Sequence, residues 1–514
     1  PKKNCFGPSS ARRRAMCATR RCTRAAGGGK GVLVLSAVVA ALGSLLFGFD
    51  TAVISGTTES LEQVFSLSKF LLGFTVSSAL IGTMVGSLLA GRPADWWGRR
   101  PVLAVLAVLF LVSAAGCAFA WNWYALLFFR WLGGVAVGGA SVVCPMYITE
   151  IAPARRRGIL VAVSQLNIVL GILMAYFSNY LVARVIGADA VNTWRWMFGV
   201  MGLPAVAFLL TVLFIPESPR WLVKQGRRPE AEAVLARFGH EQPAREAGDI
   251  QESLTAEGGG ASSGFAGLLG MALLAQIFAL LVLFNSHPAL VWIVGGVLLA
   301  GFGALVWKFP RKHLRLLVLA LMIAAFNQLD GINAVIYYTA DIFKMAGADK
   351  AGALMQSVIV GLTNLVMTVL AMLLIDRVGR KALLLVGSVT FVLSHALAAW
   401  VFYTHAQGWI VILAMMGVVG SHAYSQGAVV WVIINELLPN AVRASGSAIV
   451  CFLIWVLCAC VSWSFPVVAA KSGSYAFGFF ALMMVVQFFL VLKYLPETKG
   501  VSLEELQKRL EMKA

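Results

Sequence analysis

Apolar runs of about 20 residues recur along this chain, separated by short segments where glycine, proline and charged residues gather. A helix rises 1.5 Å per residue, so about 20 apolar residues cross the roughly 30 Å hydrocarbon core of a bilayer. Six runs near 32–56, 71–91, 101–121, 123–147, 157–183 and 194–215 precede a polar stretch ending near 264. Six more, near 313–341, 351–375, 380–404, 408–436, 442–469 and 474–495, precede a charged tail after Pro496. Between the sets lie two further uncharged runs, Phe265 to Phe284 and Ala289 to Trp307, joined by Asn285, Ser286, His287 and Pro288. Each is long enough to cross, and Lys308, Arg311, Lys312, His313 and Arg315 restore a basic flank after them. The pattern predicts an all-α membrane protein with a basic tail (1–31), a six-helix bundle (32–215) and a cytoplasmic helical linker (216–264). An extra transmembrane hairpin (265–307), a second six-helix bundle (308–495) and a C-terminal tail (496–514) follow, making fourteen spans.

Composition agrees with this reading. Hydrophobic residues fill 60% of 514 positions and charged residues 12%, against roughly 45–50% and 25% in soluble domains. The net charge of +18 resides in short Lys and Arg clusters between apolar runs, which argues against a nucleic-acid surface. Arg92, Arg99 and Arg100, then Arg155, Arg156 and Arg157, then Arg377, Arg380 and Lys381 fall in alternate loops. Cationic loops face the cytoplasm, so both termini are expected there, in a cell (inner or plasma) membrane. Eight cysteines without a CxxC pair predict neither metal nor disulfide. No cluster of catalytic residues suggests an enzyme.

Three motifs occur twice. ADWWGRRP, with Asp95 and Arg99, recurs as IDRVGRK, with Asp376 and Arg380; EIAPARRRG, with Glu150 and Arg157, recurs as ELLPNAVR, with Glu436 and Arg443. PESPRWL, with Glu217 and Arg220, recurs as PETKG, all at an offset of about 280 residues. A constant offset means two homologous halves. These paired charges are expected to form a cytoplasmic gate, the alternative being loop anchors at the headgroups.

Together GRPADWWGRRP, PMYITEIAPARRRG, PESPRWL, DRVGRK and PETKG resemble the signature set of the sugar porters of the major facilitator superfamily. The likeness covers about 32–510, apart from the extra hairpin. It implies two bundles with a pseudo-two-fold repeat that rock about a central sugar site, working as a monomer in the bilayer.

A sugar offers many hydroxyls, so its site needs uncharged side chains that donate and accept, plus an aromatic wall. Gln165, Gln328, Asn333, Asn364 and Trp431 lie inside apolar runs, and the resemblance implies hydroxyl-binding and ring-stacking roles for them. Tyr337 shares a helical face with Asn333. Interhelical hydrogen bonding is the plainer reading of such residues. The chain departs from the family at Asn327, Asp330, Gln426 and Ala428, at Ile454 before Trp455, and at Ile172. These departures weaken a xylose assignment and leave hexose or pentose open.

Asp50 and Arg130 are ionisable residues well inside runs, and such residues are costly in lipid and usually functional. A carboxylate beside Arg stays ionised, whereas a carboxylate parted from it in a dry cavity takes up a proton. The resemblance implies the same, because proton-coupled sugar porters carry Asp at this position. The expectation is therefore sugar:proton symport, the proton being the coupling ion and no other cofactor needed. Facilitated uniport and a non-transporting sensor are the alternatives. His395, His405 and His422 are read as packing or interface residues. Asp330 is left between hydroxyl acceptor, second proton site and water-bathed residue.

Overall fold

The computed structural model describes residues 9–153, 157–256, 270–271 and 288–497. Among them twelve helices are long and apolar enough to cross a membrane. Spans 1 to 6 are Gly31–Gly56, Lys69–Leu89, Arg99–Ala118, Trp123–Ile151, Val163–Ile186 and Thr193–Val212. Spans 7 to 12 are Arg311–Tyr337, Lys350–Ile375, Arg380–Thr404, Trp409–Ile434, Ser445–Lys471 and Gly473–Tyr494. They coincide with the expected runs to within a few residues, because membrane-spanning length and apolarity are properties of the local sequence alone.

The two extra spans are not among the twelve. Apart from Gly270 and Met271, the first of their runs lies outside the described residues. The second forms the helix Pro288–Trp307. It rests against span 11 through Phe302, whose ring stacks on Phe452 at 6.2 Å between centroids, while Ile293, Leu299 and Trp307 stay exposed. Twelve spans are thus the described architecture, and the expected hairpin is not among them.

Close packing inside each half depends on small residues. A Cβ at Gly82 of span 2 would lie 2.1 Å from the carbonyl oxygen of Trp131, and one at Gly138 of span 4 would lie 2.1 Å from that of Thr83. Backbones that approach this closely gain dispersion contacts unavailable to larger residues, which is how helices associate where lipid removes the hydrophobic drive. The halves meet along two seams, span 2 on span 11 and span 5 on span 8. The internal repeat relates span 2 to span 8 and span 5 to span 11, so the seams are one contact made twice.

In the second half, two spans are discontinuous. Span 7 breaks at Asp330 and Gly331, between the helices Leu314–Leu329 and Ile332–Tyr337, with Gly331 at φ 76°. Span 10 breaks at Ser425, between Trp409–Tyr424 and Gln426–Leu437. Short helices Pro219–Lys224, Arg228–Arg237 and Pro243–Ala256 connect the halves. They pack around Leu222, Val223, Ala231, Leu235 and Ala247, as the polar amphipathic patterning of that stretch predicts.

Candidate functional site

Asp50 lies one turn before span 1 tightens into the 3-10 turn Ile54–Gly56. It is 3% exposed and Arg130 of span 4 is 1% exposed, with Nη1 of the guanidinium donating to Oδ1 at 2.8 Å. An unpaired ion at that depth is far too costly to keep, so each charge requires the other. The pairing is incomplete. Nε and Nη2 of Arg130 are buried without a hydrogen-bond partner among the described residues, and the guanidinium lies 5.7 Å from the Phe198 ring centroid. The guanidinium is thus held by one carboxylate and one ring face, so parting it from Asp50 leaves the carboxylate without its counter-charge.

Span 7 carries a chain of amides at its break. Gln328 Nε2 donates to Asn327 Oδ1 at 2.7 Å, and Asn333 Nδ2 donates to Gln328 Oε1 at 2.7 Å. Asn333 is half-buried and Tyr337, one turn on, is buried beside Thr51, the neighbour of Asp50. Span 7 thus connects the amide chain to the ion pair of the other half. Tyr176 of span 5 ties the same segment across the interface, its hydroxyl donating to the Ile336 carbonyl at 2.8 Å.

The other expected sugar ligands are dispersed around this centre. Asn364 is buried in span 8, Gln165 is half-buried in span 5, and Trp455 packs on Phe47 across the halves at 6.1 Å between centroids. Trp431 is exposed. Gln426 is fully buried and donates to Gln487 of span 12 at 2.6 Å, so the amide nitrogen is already engaged inside the half.

One pair escaped the sequence reading. His422 Nδ1 lies 2.8 Å from Asp330 Oδ2, and His395 Nε2 lies 2.8 Å from the Asp330 carbonyl oxygen. Asp330 is 0% exposed, so in this conformation it is neither a sugar hydroxyl acceptor nor bathed in water. His422 and His395 are accordingly not simple packing residues. No spacing rule links positions from spans 7, 9 and 10; only the breaks beside Gly331 and Ser425 mark the place in the sequence.

The repeated motifs form one network in each half. Arg99 donates from Nε and Nη2 to both carboxylate oxygens of Glu150 at 2.8 Å and meets Asp95 at 3.2 Å. Glu217 accepts the backbone N–H of Arg99 at 2.9 Å and of Arg100 at 3.2 Å, capping the start of span 3. In the second half Glu497 accepts the N–H of Arg380 at 3.0 Å and of Lys381 at 3.1 Å, while Arg380 meets Glu436 at 3.4 Å. Burial pushes the Glu217 carboxyl upward, against the backbone N–H groups that favour its charged form. Arg443 donates to the Leu438 carbonyl at 3.1 Å. Arg220 lines a cleft with Glu150, His240 and Asp249. The side chains of Arg157 and Asp376 lie outside the described residues.

A twelve-span chain with a two-fold motif repeat, two broken helices and a buried ion pair between them is matched by one family model. Residues 36–287 and 300–510 match the model described as sugar (and other) transporter. The chain belongs to this transporter family. Its members are carriers and not enzymes. The chain is 36% identical to the D-xylose-proton symporter of Escherichia coli (strain K12), over 91% of this chain and 94% of the relative. It is 35% identical to the arabinose-proton symporter of Bacillus subtilis (strain 168), over 93% and 95%. The inward open conformation of the xylose transporter XylE from E. coli superposes with a TM-score of 0.76 at 33% identity, over 93% of this chain and 99% of that one. The family match is interrupted at 288–299, the first part of the helix Pro288–Trp307.

Proposed function

We propose that this transporter is a proton-coupled monosaccharide symporter working by alternating access, with Asp50 as the carrier of the coupling proton and Arg130 as the group that tunes its affinity. The observation that carries the reading is the 2.8 Å contact between them, buried at the core and one residue from Thr51, against which Tyr337 of span 7 lies. Sugar enters the amide-lined space beside Asn327, Gln328 and Asn333. Its binding moves span 7, and Tyr337 transmits that movement to span 1. Separated from Arg130, Asp50 gains a proton; re-paired with it, the carboxylate gives the proton up. Each ligand thereby favours the conformation that the other needs, which is the coupling. Asn364, Gln165, Trp431 and Trp455 complete the hexose or pentose site, and the basic networks stiffen the cytoplasmic ends of both halves as a gate. Both termini are cytoplasmic in this reading, and the protein acts as a monomer. The 265–307 segment forms a peripheral in–out–in hairpin.

Reconstituted protein assayed with labelled glucose, xylose, galactose and fructose tests the proposal. Under an inward proton gradient the wild type accumulates at least one of them. Asp50→Asn loses the accumulation driven through this site while sparing exchange of the same sugar. Equal accumulation by both proteins would exclude Asp50 as the proton carrier, and equilibration alone by the wild type would make the protein a uniporter. Labelling of a single cysteine placed at Ser286 from the outside checks the hairpin.

A further inference from the structure

The coupling scheme leaves a second buried ionisable pair unused. Asp330 stands at the break of span 7, where Oδ1 accepts the Ile332 N–H at 2.9 Å, at the start of the short helix that carries Asn333 and Tyr337. Its other oxygen holds His422 at 2.8 Å. His422 precedes the break of span 10 by three residues, and 18% of its side chain is exposed, against 0% for Asp330. The imidazole fits there because residue 427 is glycine; a Cβ at that position would stand 3.0 Å from Nε2. A carboxylate–imidazole contact therefore bridges the breaks of the two discontinuous helices of the second half.

The ionisable groups placed against Asp330 are His422 from span 10, His395 from span 9 and Cys458 from span 11, while span 12 contributes the Phe480 ring against Gly331. Held between carboxylate and imidazole, one proton leaves the pair neutral. Its loss leaves a net negative charge, and a second proton leaves a net positive one; both are costly away from water. Arg130 keeps its proton throughout, whereas an imidazole can both gain and lose one. The pair thus binds one proton while it is enclosed. It releases that proton when movement of the Gln426–Leu437 segment brings water to the exposed edge of His422.

We propose that Asp330 and His422 form a second proton-binding site, in the C-terminal half and separate from Asp50 and Arg130, that loads and unloads one proton in each transport cycle. The stoichiometric consequence rests on the symport reading. With the membrane potential clamped, a gradient of one pH unit supports about tenfold accumulation for one coupled proton and about hundredfold for two.

In proteoliposomes carrying whichever of the four labelled sugars is taken up, the wild type should approach hundredfold accumulation. Asp330→Asn and His422→Gln should each fall to about tenfold while still exchanging the sugar. A wild-type limit near tenfold overturns the proposal even if the variants fail to fold, and so does a hundredfold limit retained by Asp330→Asn. Should the wild type not accumulate any sugar, the symport reading fails, and proton counting on detergent-purified protein decides the site by itself. Between pH 5 and 9 the double variant Asp330→Asn/His422→Gln should then exchange one proton fewer per molecule than the wild type, and equal counts would overturn the site.

Discussion

Asp341 illustrates how a single side chain records its surroundings. It follows span 7 in the short helix Thr339–Met345, with Oδ2 buried and without a hydrogen-bond partner among the described residues. Burial pushes its carboxyl up to about 7, against the smaller opposing effects of Thr58, Lys69 and Lys344. In the unfolded chain the same acid ionises near 3.8. Between these values the folded protein holds a proton that the unfolded chain has lost, so stability falls as pH rises through the window and levels off above about 7. Asp341→Asn removes this dependence. Thermal melts in detergent from pH 5 to 8 should show the variant gaining on the wild type as pH rises, with the gain saturating near neutrality. Parallel curves would mean that the acid ionises normally.

At the level of the element, the repeated motifs explain how a charged helix end is built. Gly98 and Gly379 precede spans 3 and 9 with φ of 102° and 103°, a region that side chains rarely adopt. A Cβ at Gly98 would lie 2.4 Å from Glu217 Oε2, and one at Gly379 would lie 2.8 Å from Glu497 Oε2. Glycine is required because the carboxylate must come close enough to accept the first N–H groups of the helix, where an anion also complements the helix dipole. Gly98→Ala combines backbone strain with loss of this cap, so a cost of roughly 1–3 kcal/mol is expected. Gly91→Ala, with nothing within 4 Å of the new carbon, is the matched control. Melting temperatures that drop equally in both variants would refute the capping account. The motif spacing was legible in the sequence, but the glutamate as cap was not, because Glu217 lies far along the chain from Gly98, beyond span 6.

On the scale of the whole molecule, polar contacts join the halves at the end opposite the basic motifs. Glu59, after span 1, pairs with Lys344 and lies 3.6 Å from Lys350, which also donates to Ser60 at 3.3 Å. The Ala340 N–H donates to Ser55 Oγ at 3.2 Å. Burial disfavours the charged Glu59, yet the two lysines outweigh it and hold the carboxyl below its usual range. These groups tie the two halves together at that end. Partly exposed ion pairs contribute about 0.2–1 kcal/mol, so Glu59→Gln should shift the balance toward the state open at that end by no more than about fivefold. Distances between spin labels on the two halves at that end report the shift, and an unchanged distribution would show that packing alone closes it.

The sequence by itself located the twelve described spans, together with two more that are not among them, and it determined their duplication and the residues unusual enough in lipid to matter, because length, apolarity, repeat spacing and the cost of a buried charge are all local quantities. Asp50 and Arg130 were found that way. Only the tertiary structure decided which of these residues meet. It turned Gln426 toward Gln487 and set His422 on Asp330. It also confined the motif networks to the ends of separate halves. Contacts between spans depend on helix rotation and on the close approach allowed by glycines such as Gly82 and Gly138, and on the breaks in spans 7 and 10. Those are properties of packed helices, which no periodicity along a single chain encodes.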